Sequence, residues 1–229
     1  MENTKKGDFI QIVFTGRTQG KIFDTNDEEH IKEIDSENPP RKVILIVGEH
    51  MVNQGFDNAL EGKEFNKKYS IEVPSKEAFG PRRTELIRTI PMKAFIEKNV
   101  YPKAGMTLAL DGALVRISAV SGSRVIADFN HPLAGKDLSY DFKILHIVHD
   151  VKERAETFFG FFFRFIPNFE VHEKEVIVTA QKPLEPFINA FAEKFEKLVG
   201  KKLSFKEEEK KPIKSEELQN PEVETQQSL

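Results

Sequence analysis

The sequence predicts an α+β protein in which an antiparallel sheet wraps a short helix, with a small β-rich insertion and a C-terminal α+β region. The first half of the chain has short runs of alternating apolar and polar residues, interrupted by Gly and Pro, which is typical of strands joined by turns. From residue 150 to residue 205, phenylalanines recur at helical spacing on both sides of further strand-like runs. These patterns favour a mixed fold with more than one structural unit.

The first predicted elements are three strands. Alternation over residues 10–14 predicts a strand, Gln19-Gly20 a turn, and residues 21–25 a returning strand. A polar segment over residues 26–40 follows. The continuous apolar run 43–47 then predicts a strand that is covered on both faces.

A short helix and two further strands complete this first region. Phe56, Ala59 and Leu60 lie at positions i, i+3 and i+4 just before a glycine, which is typical of a short helix with a glycine cap. Alternation over residues 69–73 predicts another strand. Residues 138–144 alternate in the same way and predict the strand that closes the region.

Residues 86–128 have the pattern of a self-contained insertion. The segment begins with a strand over 86–90 and a short helix over 92–98. Three strands follow, joined by Asp111-Gly112 and by Ser121-Gly122-Ser123. An Asp-Gly pair between strand-like runs is a strong hairpin signal, so we expect a small β-rich unit.

The region 150–205 predicts a small α+β unit with two helices. A hairpin over 169–179 separates the helices, a last strand covers 202–205, and the second helix carries an apolar stripe over 187–198 that ends at Gly200. The stripe of the first helix consists of Phe158, Phe161, Phe162 and Phe165. Two such stripes are more apolar surface than a small unit easily buries. Besides plain core, a dimer contact or a surface for unfolded chains is therefore expected here.

Composition excludes several classes of function. A sequence pI near 6.1 and a net charge of −3 disfavour nucleic-acid partners. The absence of Cys excludes disulfides, thiolate metal sites and cysteine nucleophiles, and it fits a cytoplasmic setting. No signal peptide and no membrane span are expected, because the N-terminus is polar and the apolar run 158–163 is short. The acidic composition of residues 207–229 predicts a disordered tail.

Motifs for metal, phosphate or covalent chemistry are absent from the sequence. His146 and His149 form the only close histidine pair, and a spacing of three in a strand points the two side chains to opposite faces. There is no phosphate-binding glycine loop with Lys-Ser/Thr and no nucleophile elbow. We therefore expect neither a metal ion nor a cofactor.

The sequence does contain an ordered set of apolar motifs around one acid. Phe23-Asp24, Gly55-Phe56 and Ala78-Phe79-Gly80 occur in this order before Tyr140. In order and spacing the chain resembles the FKBP-type peptidyl-prolyl cis-trans isomerases. Beyond residue 80 it is similar to the SlyD-like and long archaeal branches, in which an inserted chaperone domain replaces the flap. The loop Asn130-His131-x-Leu133-Ala134-Gly135 matches that branch.

The resemblance implies a domain organisation and a set of site residues. It implies an FKBP-like isomerase domain over 1–84 and 129–149, an insert-in-flap chaperone domain over 85–128 and a C-terminal domain over 150–206. The catalytic residues implied are Asp24, Phe79, Phe56 and Tyr140. The substrate-binding residues implied are Phe14, Phe23, Val43, Val52, Asn53 and Leu133. Phe56 would form the pocket floor, and the Asn53 backbone N–H would donate to a substrate carbonyl.

Three departures from the family pattern bear on activity. Phe14 and Phe79 stand where the family usually has tyrosines, so two hydroxyl groups are missing. Each lost hydrogen bond costs about 0.5–1.5 kcal/mol, which predicts weakened rather than abolished activity. Asn53 replaces a usually apolar residue, and the histidine-rich metal tail of SlyD-like proteins is absent.

Three functions are compatible with the sequence. The first is a peptidyl-prolyl isomerase that assists folding, with proline-containing peptides and unfolded chains as partners. The second is a holdase chaperone or peptide-binding module with little isomerase activity. The missing hydroxyls and the Phe-rich C-terminal region support this alternative. The third is a dimeric scaffold. We also expect a homodimer through the C-terminal domain.

Overall fold

The computed structural model describes residues 3–34, 39–110 and 112–208. Asp111 of the predicted hairpin turn and the predicted tail from residue 209 onward lie outside these ranges. The chain divides into two compact units, of which the first ends at Arg164 and the second begins at Phe165. Among the described residues, no helix combines the length and the apolar content that crossing a membrane requires.

The first unit contains nine strands and four helices among its described residues. The strands are β1 (Phe9–Thr18), β2 (Lys21–Thr25), β3 (Val43–Ile46), β4 (Lys68–Val73), β5 (Ile87–Pro91), β6 (Thr107–Leu110), β7 (Ala113–Ser121), β8 (Arg124–Asp128) and β9 (Leu138–Ile147). The helices are α1 (Ile31–Ile34), α2 (Gln54–Leu60), α3 (Met92–Ile96) and α4 (Val151–Phe162).

The main sheet is antiparallel and has the order β2-β1-β9-β4, with β3 also paired to β1. β2 pairs with the end of β1, where Thr25 faces Thr15, and β3 pairs with its beginning. The pairing of β1 with β9 places Gly16 opposite Tyr140, and β4 places Ile71 opposite the same tyrosine. The predicted α+β class with an antiparallel sheet is confirmed.

Helix α2 covers one face of the main sheet. It begins at Asn53, whose side chain accepts a hydrogen bond from the Phe56 backbone N–H, and it buries Phe56 and Leu60. Alternate residues of β1 and β9 point to the same side because successive strand side chains face opposite ways. The core formed there consists of Ile10, Ile12, Phe14, Leu45, Val47, Phe56, Leu60, Val73, Leu138, Tyr140, Phe142 and Ile144.

The insertion forms a separate four-stranded antiparallel sheet with the order β5-β8-β7-β6. Its own small core consists of Phe95, Val115, Ile117, Val125 and Ala127. The strand by which the chain enters the sheet, β5, is paired with the strand by which it leaves, β8, so that Ile87 faces Asp128. The Phe129 N–H donates to the Leu86 carbonyl at 2.9 Å and continues this pairing toward the main sheet.

Helix α4 is shorter than the predicted apolar stripe. It ends at Phe162, and Arg164 has a positive φ of 64°, which a right-handed helix does not allow. Phe165 therefore lies outside the helix, and its predicted place on the helical face is wrong. Phe158 and Phe159 are fully buried.

The second unit has strands β10 (Asn168–Val171), β11 (Glu175–Ala180) and β12 (Lys202–Glu207) and helices α5 (Glu185–Ala190) and α6 (Ala192–Val199). β10 is antiparallel to β11, as the hairpin pattern predicts, whereas β12 is parallel to β11. The single helix predicted over 187–198 is wrong, because Phe191 interrupts it with φ −98° and ψ −1°. Gly200 ends α6 in a left-handed conformation, as expected.

Candidate functional site

Four aromatic rings from four different elements meet at one end of the main core. Tyr140 of β9 stacks on Phe56 of α2 with 4.2 Å between centroids and an interplanar angle of 15°. Phe23 of β2 meets Tyr140 edge-on at 5.8 Å, and Phe14 of β1 lies 5.9 Å from Phe56. Offset stacks and edge-to-face pairs are the favoured arrangements of aromatic rings. We call these four residues the aromatic cluster.

Gly16 makes room for this arrangement. A Cβ atom at this position would lie 2.6 Å from Cζ of Phe23 and 2.9 Å from Cε1 of Tyr140. The Phe23 ring therefore lies across the backbone of β1, where any side chain at residue 16 would displace it. Sequence reasoning missed Gly16, although a glycine inside a strand pattern is a signal of close approach.

Asn53 connects the start of α2 to the aromatic cluster. Its Oδ1 accepts from the Phe56 N–H at 3.1 Å, and its Nδ2 donates to the Tyr140 hydroxyl at 2.5 Å. A polar side chain at the edge of an apolar cluster is thus hydrogen-bonded on both of its ends. Asn53, which stands where the resemblance would place an apolar residue, thus links α2 to β9 through its side-chain hydrogen bonds.

The environment of Tyr140 favours its neutral form. Burial raises the pKa of the Tyr140 hydroxyl to about 12, the hydrogen bond from Asn53 acts in the opposite direction, and the charge of Asp24 raises it further. The residue is 4% exposed. The hydroxyl therefore keeps its proton across the neutral range.

Asp24 lies on β2 next to Phe23, and its carboxylate pairs with Arg41. The Arg41 Nη2 donates to Oδ1 at 2.8 Å and to Oδ2 at 3.0 Å, and both side chains are partly exposed. Arg41 carries no sequence signal, because it stands at the end of a long polar segment.

Three predicted wall residues, Val43, Val52 and Leu133, are half-buried and pack against the core that contains the aromatic cluster. Val43 comes from β3, Val52 from the turn before α2, and Leu133 from the loop that follows β8. The structure thus places eight of the ten predicted site residues in or against the core that contains the aromatic cluster, and Asp24 adjoins them as the chain neighbour of Phe23.

Phe79 is the exception. It is 38% exposed, and among the described residues its ring partner is His131, stacked at 4.1 Å with an angle of 9°. The adjacent Ala78 does pack against the core. His131 accepts a hydrogen bond at Nδ1 from the Leu133 N–H at 3.2 Å, so the stack and the wall residue belong to one loop. His131 is a residue that sequence reasoning quoted but did not assign to the site.

Two cavities of the first unit lie away from the aromatic cluster. One of about 810 Å³ lies on the face of the main sheet opposite α2, where Gln11, Val13 and Lys143 line it. One of about 470 Å³ lies between β3 and α4. Within the described ranges, no group of three or more His, Asp or Glu side chains is placed to hold a metal ion.

Two family models match the chain. The model of the FKBP-type peptidyl-prolyl cis-trans isomerases matches residues 1–97. A model described as FKBP26, IF domain matches residues 88–133, which contain most of the four-stranded sheet of the insertion.

Several relatives of the chain have related names. A short-type peptidyl-prolyl cis-trans isomerase of Methanocaldococcus jannaschii is 33% identical over 143 residues, which cover 61% of this chain and 91% of that protein. The FKBP-type peptidyl-prolyl cis-trans isomerase SlyD of Treponema pallidum is 30% identical over 112 residues, covering 47% of this chain and 63% of that protein. The FKBP-type 16 kDa peptidyl-prolyl cis-trans isomerase of Escherichia coli is 26% identical over 115 residues, covering 48% and 76%.

Proposed function

Because the chain belongs to the FKBP-type peptidyl-prolyl cis-trans isomerases, we propose that it rotates X-Pro bonds on the apolar surface that Phe23, Val43 and Val52 form beside the stacked rings of Phe56 and Tyr140. Membership of the family makes the chain an isomerase. The observation that carries the proposed location is the Phe56–Tyr140 stack, which is walled by half-buried apolar residues.

The chemistry of X-Pro rotation suits such a surface. The barrier of about 18–20 kcal/mol arises because twisting the bond sacrifices amide resonance, and no nucleophile is needed to lower it. A planar amide is more charge-separated than a twisted one, so a water-poor aromatic surface favours the twisted state relative to bulk water. Hydrogen bonds to the neighbouring carbonyl groups then hold the peptide in place.

Each site residue has a proposed role. Phe56 is the floor, and Phe23, Val43, Val52 and Tyr140 are walls. Phe14 supports the floor, Leu133 contributes from the returning loop, and Phe79 covers the mouth through its stack with His131. The backbone N–H of Asn53 donates to a substrate carbonyl, and Asp24, paired with Arg41, gives the rim a negative group.

The insertion is proposed to bind unfolded chains. Tyr101 and Leu114 are 68% and 70% exposed, and Ile96, Met106 and Ile126 are also exposed. Large apolar side chains that remain exposed on a small unit indicate a binding surface. We propose that residues 85–128 form the insert-in-flap domain, residues 1–84 and 129–149 the isomerase domain, and residues 150–206 the C-terminal domain. Unfolded chain held on the insertion raises the local concentration of proline near the pocket.

A holdase chaperone with little isomerase activity is the second candidate. Phe14 and Phe79 favour it, because neither ring offers a hydroxyl to a substrate.

We also propose a cytoplasmic location and a homodimer through the C-terminal domain. The exposed side chains of Ile166 and Val171 support the dimer. Ultracentrifugation of the full chain against a chain ending near Asp150 tests the dimer, and a full-length monomer at micromolar concentration contradicts it.

A protease-coupled assay with a proline tetrapeptide tests the proposed site. We expect turnover by the wild-type chain and reduced turnover by Phe23→Ala and by Asp24→Ala. The exposed Lys98→Ala in the insertion is the control and should leave peptide turnover unchanged. Peptide turnover that is undetectable in the wild type, together with suppressed aggregation of an unfolded client, would instead support the holdase.

A further inference from the structure

We propose that the Tyr140 hydroxyl is the side-chain hydrogen-bond donor to the bound peptide, and that Asn53 is the positioning residue that keeps its proton available. The proposal rests on the proposed function, because it assigns the donor within the same pocket. Of the four rings of the aromatic cluster, Tyr140 carries the only polar atom. The acceptor would be a backbone carbonyl of the peptide next to its proline.

The direction of the Asn53–Tyr140 hydrogen bond follows from the helix cap. The Phe56 N–H is a donor, so the Asn53 atom 3.1 Å from it must be the carbonyl oxygen. The other end of the amide is then the NH₂ group, and it faces the Tyr140 oxygen at 2.5 Å. The tyrosine oxygen is therefore the acceptor of this bond. Its own proton does not take part in it.

The free proton has no acceptor within the described part of the chain. A phenol has one O–H donor, and a donor buried without a partner costs free energy that a ligand acceptor can recover. The ring cannot turn away, because it is stacked on Phe56 and closed in by Phe23. The arrangement thus holds a donor ready at the wall of the pocket.

The position of this donor differs from the two that the family pattern would provide. Phe14 and Phe79 have no hydroxyl, and the centroid of the Phe14 ring lies 6.4 Å from that of Tyr140. Among the four rings of the aromatic cluster, the hydroxyl therefore lies on β9 and not on β1. Asn53, another departure from the family pattern, is the residue that orients this hydroxyl.

Three substitutions separate a donor from a merely structural residue. Tyr140→Phe keeps the stack and removes the hydroxyl. Asn53→Asp keeps the helix cap, since Asp and Asn cap equally well, but it offers the tyrosine an acceptor that captures its proton. Tyr69→Phe is the matched control, because Tyr69 also uses its hydroxyl, as acceptor from the Glu64 N–H, and lies outside the aromatic cluster.

The experiment measures kcat/KM for a proline tetrapeptide in full-length variants whose melting temperatures are recorded in parallel. We expect Tyr140→Phe to lower kcat/KM roughly two- to tenfold, Asn53→Asp to lower it similarly, and Tyr69→Phe to leave it unchanged. In the Tyr140→Phe background, Asn53→Asp should have no further effect, because there is no proton to capture. Full turnover by Tyr140→Phe, or equal losses from Asn53→Asp in both backgrounds, would overturn the proposal.

Phe23→Ala reports on the pocket itself. If only Phe23→Ala lowers turnover, the donor assignment fails and the proposed function stands, whereas unchanged turnover in Phe23→Ala defeats the proposed function.

Discussion

Arg82 and Asp128 join the two chain segments that connect the main sheet to the insertion. The Arg82 guanidinium donates to Oδ2 of Asp128 from Nε at 2.9 Å and from Nη2 at 2.6 Å. The other carboxylate oxygen accepts from the backbone N–H and the side-chain amide of Asn130, at 2.9 and 2.7 Å. Asn130 in turn bonds the backbone of Arg83 on both sides. Both oxygens of this nearly buried carboxylate therefore accept hydrogen bonds from residues of the two connections.

Removing the Asp128 carboxylate should destabilise the junction. In Asp128→Ala the Asn130 amide and the Arg82 guanidinium lose their acceptor, which costs about 1–3 kcal/mol. Chemical denaturation of the full chain measures this loss, with Glu85→Ala as an exposed control. A stability equal to that of the control would show that water replaces the carboxylate without cost.

The same residue makes stability depend on pH in acid. Burial alone would raise the pKa of Asp128, but the hydrogen bonds from Asn130 and Arg82 together hold it below its ordinary value of 3.8. A lowered pKa in the folded state contributes stability above the unfolded pKa, and this contribution is lost as pH falls through the folded one. Below about pH 4, the free energy of unfolding should fall more steeply with decreasing pH in the wild type than in Asp128→Asn. Parallel curves would contradict the prediction.

Tyr140 should ionise well above the ordinary pKa of a tyrosine. Burial raises its pKa from 10.0 to about 12 despite the Asn53 hydrogen bond. Folding favours the neutral form of Tyr140. The contribution of this residue to the free energy of unfolding is therefore complete below pH 10 and is lost as pH rises toward 12. An ultraviolet titration of phenolate absorbance should show a late step that Tyr140→Phe removes. A late step that persists in this variant would assign it to another residue.

Two glycine substitutions should change stability in opposite directions. Gly16→Ala places a Cβ against Phe23 and Tyr140, and overpacking of this kind costs about 1–3 kcal/mol. We expect reduced peptide turnover as well, because Phe23 must move. Gly160 is in helix α4 and an added Cβ has open space, so Gly160→Ala should stabilise by about 0.5–1 kcal/mol. Thermal unfolding measures the stability change of both variants. A Gly16→Ala variant that is more stable than the wild type would contradict the predicted steric clash.

The stack of Phe79 on His131 should couple the two residues in catalysis. If Phe79 covers the pocket mouth only while it is held by the imidazole, Phe79→Ala and His131→Ala should each lower kcat/KM. The double variant should then lose little more than either single one. Additive losses in kcat/KM would show that the residues act independently. His172→Ala, in the second unit, is the control for loss of an exposed imidazole.

Exposed apolar residues of the insertion should matter for proteins and not for short peptides. Leu114→Ser and Tyr101→Ser remove large exposed apolar side chains and should leave the fold intact. We expect unchanged tetrapeptide turnover and slower catalysis of the refolding of a proline-limited protein. Thr89→Ser, also exposed, is the control. Equal losses in both assays would contradict a division of labour between insertion and pocket.

Local sequence patterns predicted most helices and strands, whereas some helix ends and the pairing of β12 depend on long-range contacts that these patterns do not show. Alternation in β1 and β9 correctly placed Phe14 and Tyr140 on the core side, because side-chain direction in a strand depends only on position. The interruption at Phe191 and the end of α4 before Phe165 were missed, since apolar spacing continues through both. The parallel pairing of β12 with β11 also has no local signal.

The site shows the same division. Residue types carried the resemblance and hence the aromatic cluster, yet the partners that orient it came from distant positions. The Arg41–Asp24 pair and the Asn53–Tyr140 hydrogen bond join residues 17 and 87 positions apart, which no spacing rule reaches. Gly16 is intermediate, because its presence in a strand was visible while its neighbours were not.

The adjacency of β5 and β8 makes the insertion an exchangeable cassette. Its entry and exit strands are hydrogen-bonded neighbours, and the Leu86 and Phe129 backbones meet at 2.9 Å. Excision at this point leaves ends that a tight turn can bridge, with little closure entropy to overcome. A foreign module with similarly close termini could be grafted there without altering the strand register of the sheet that bears the aromatic cluster.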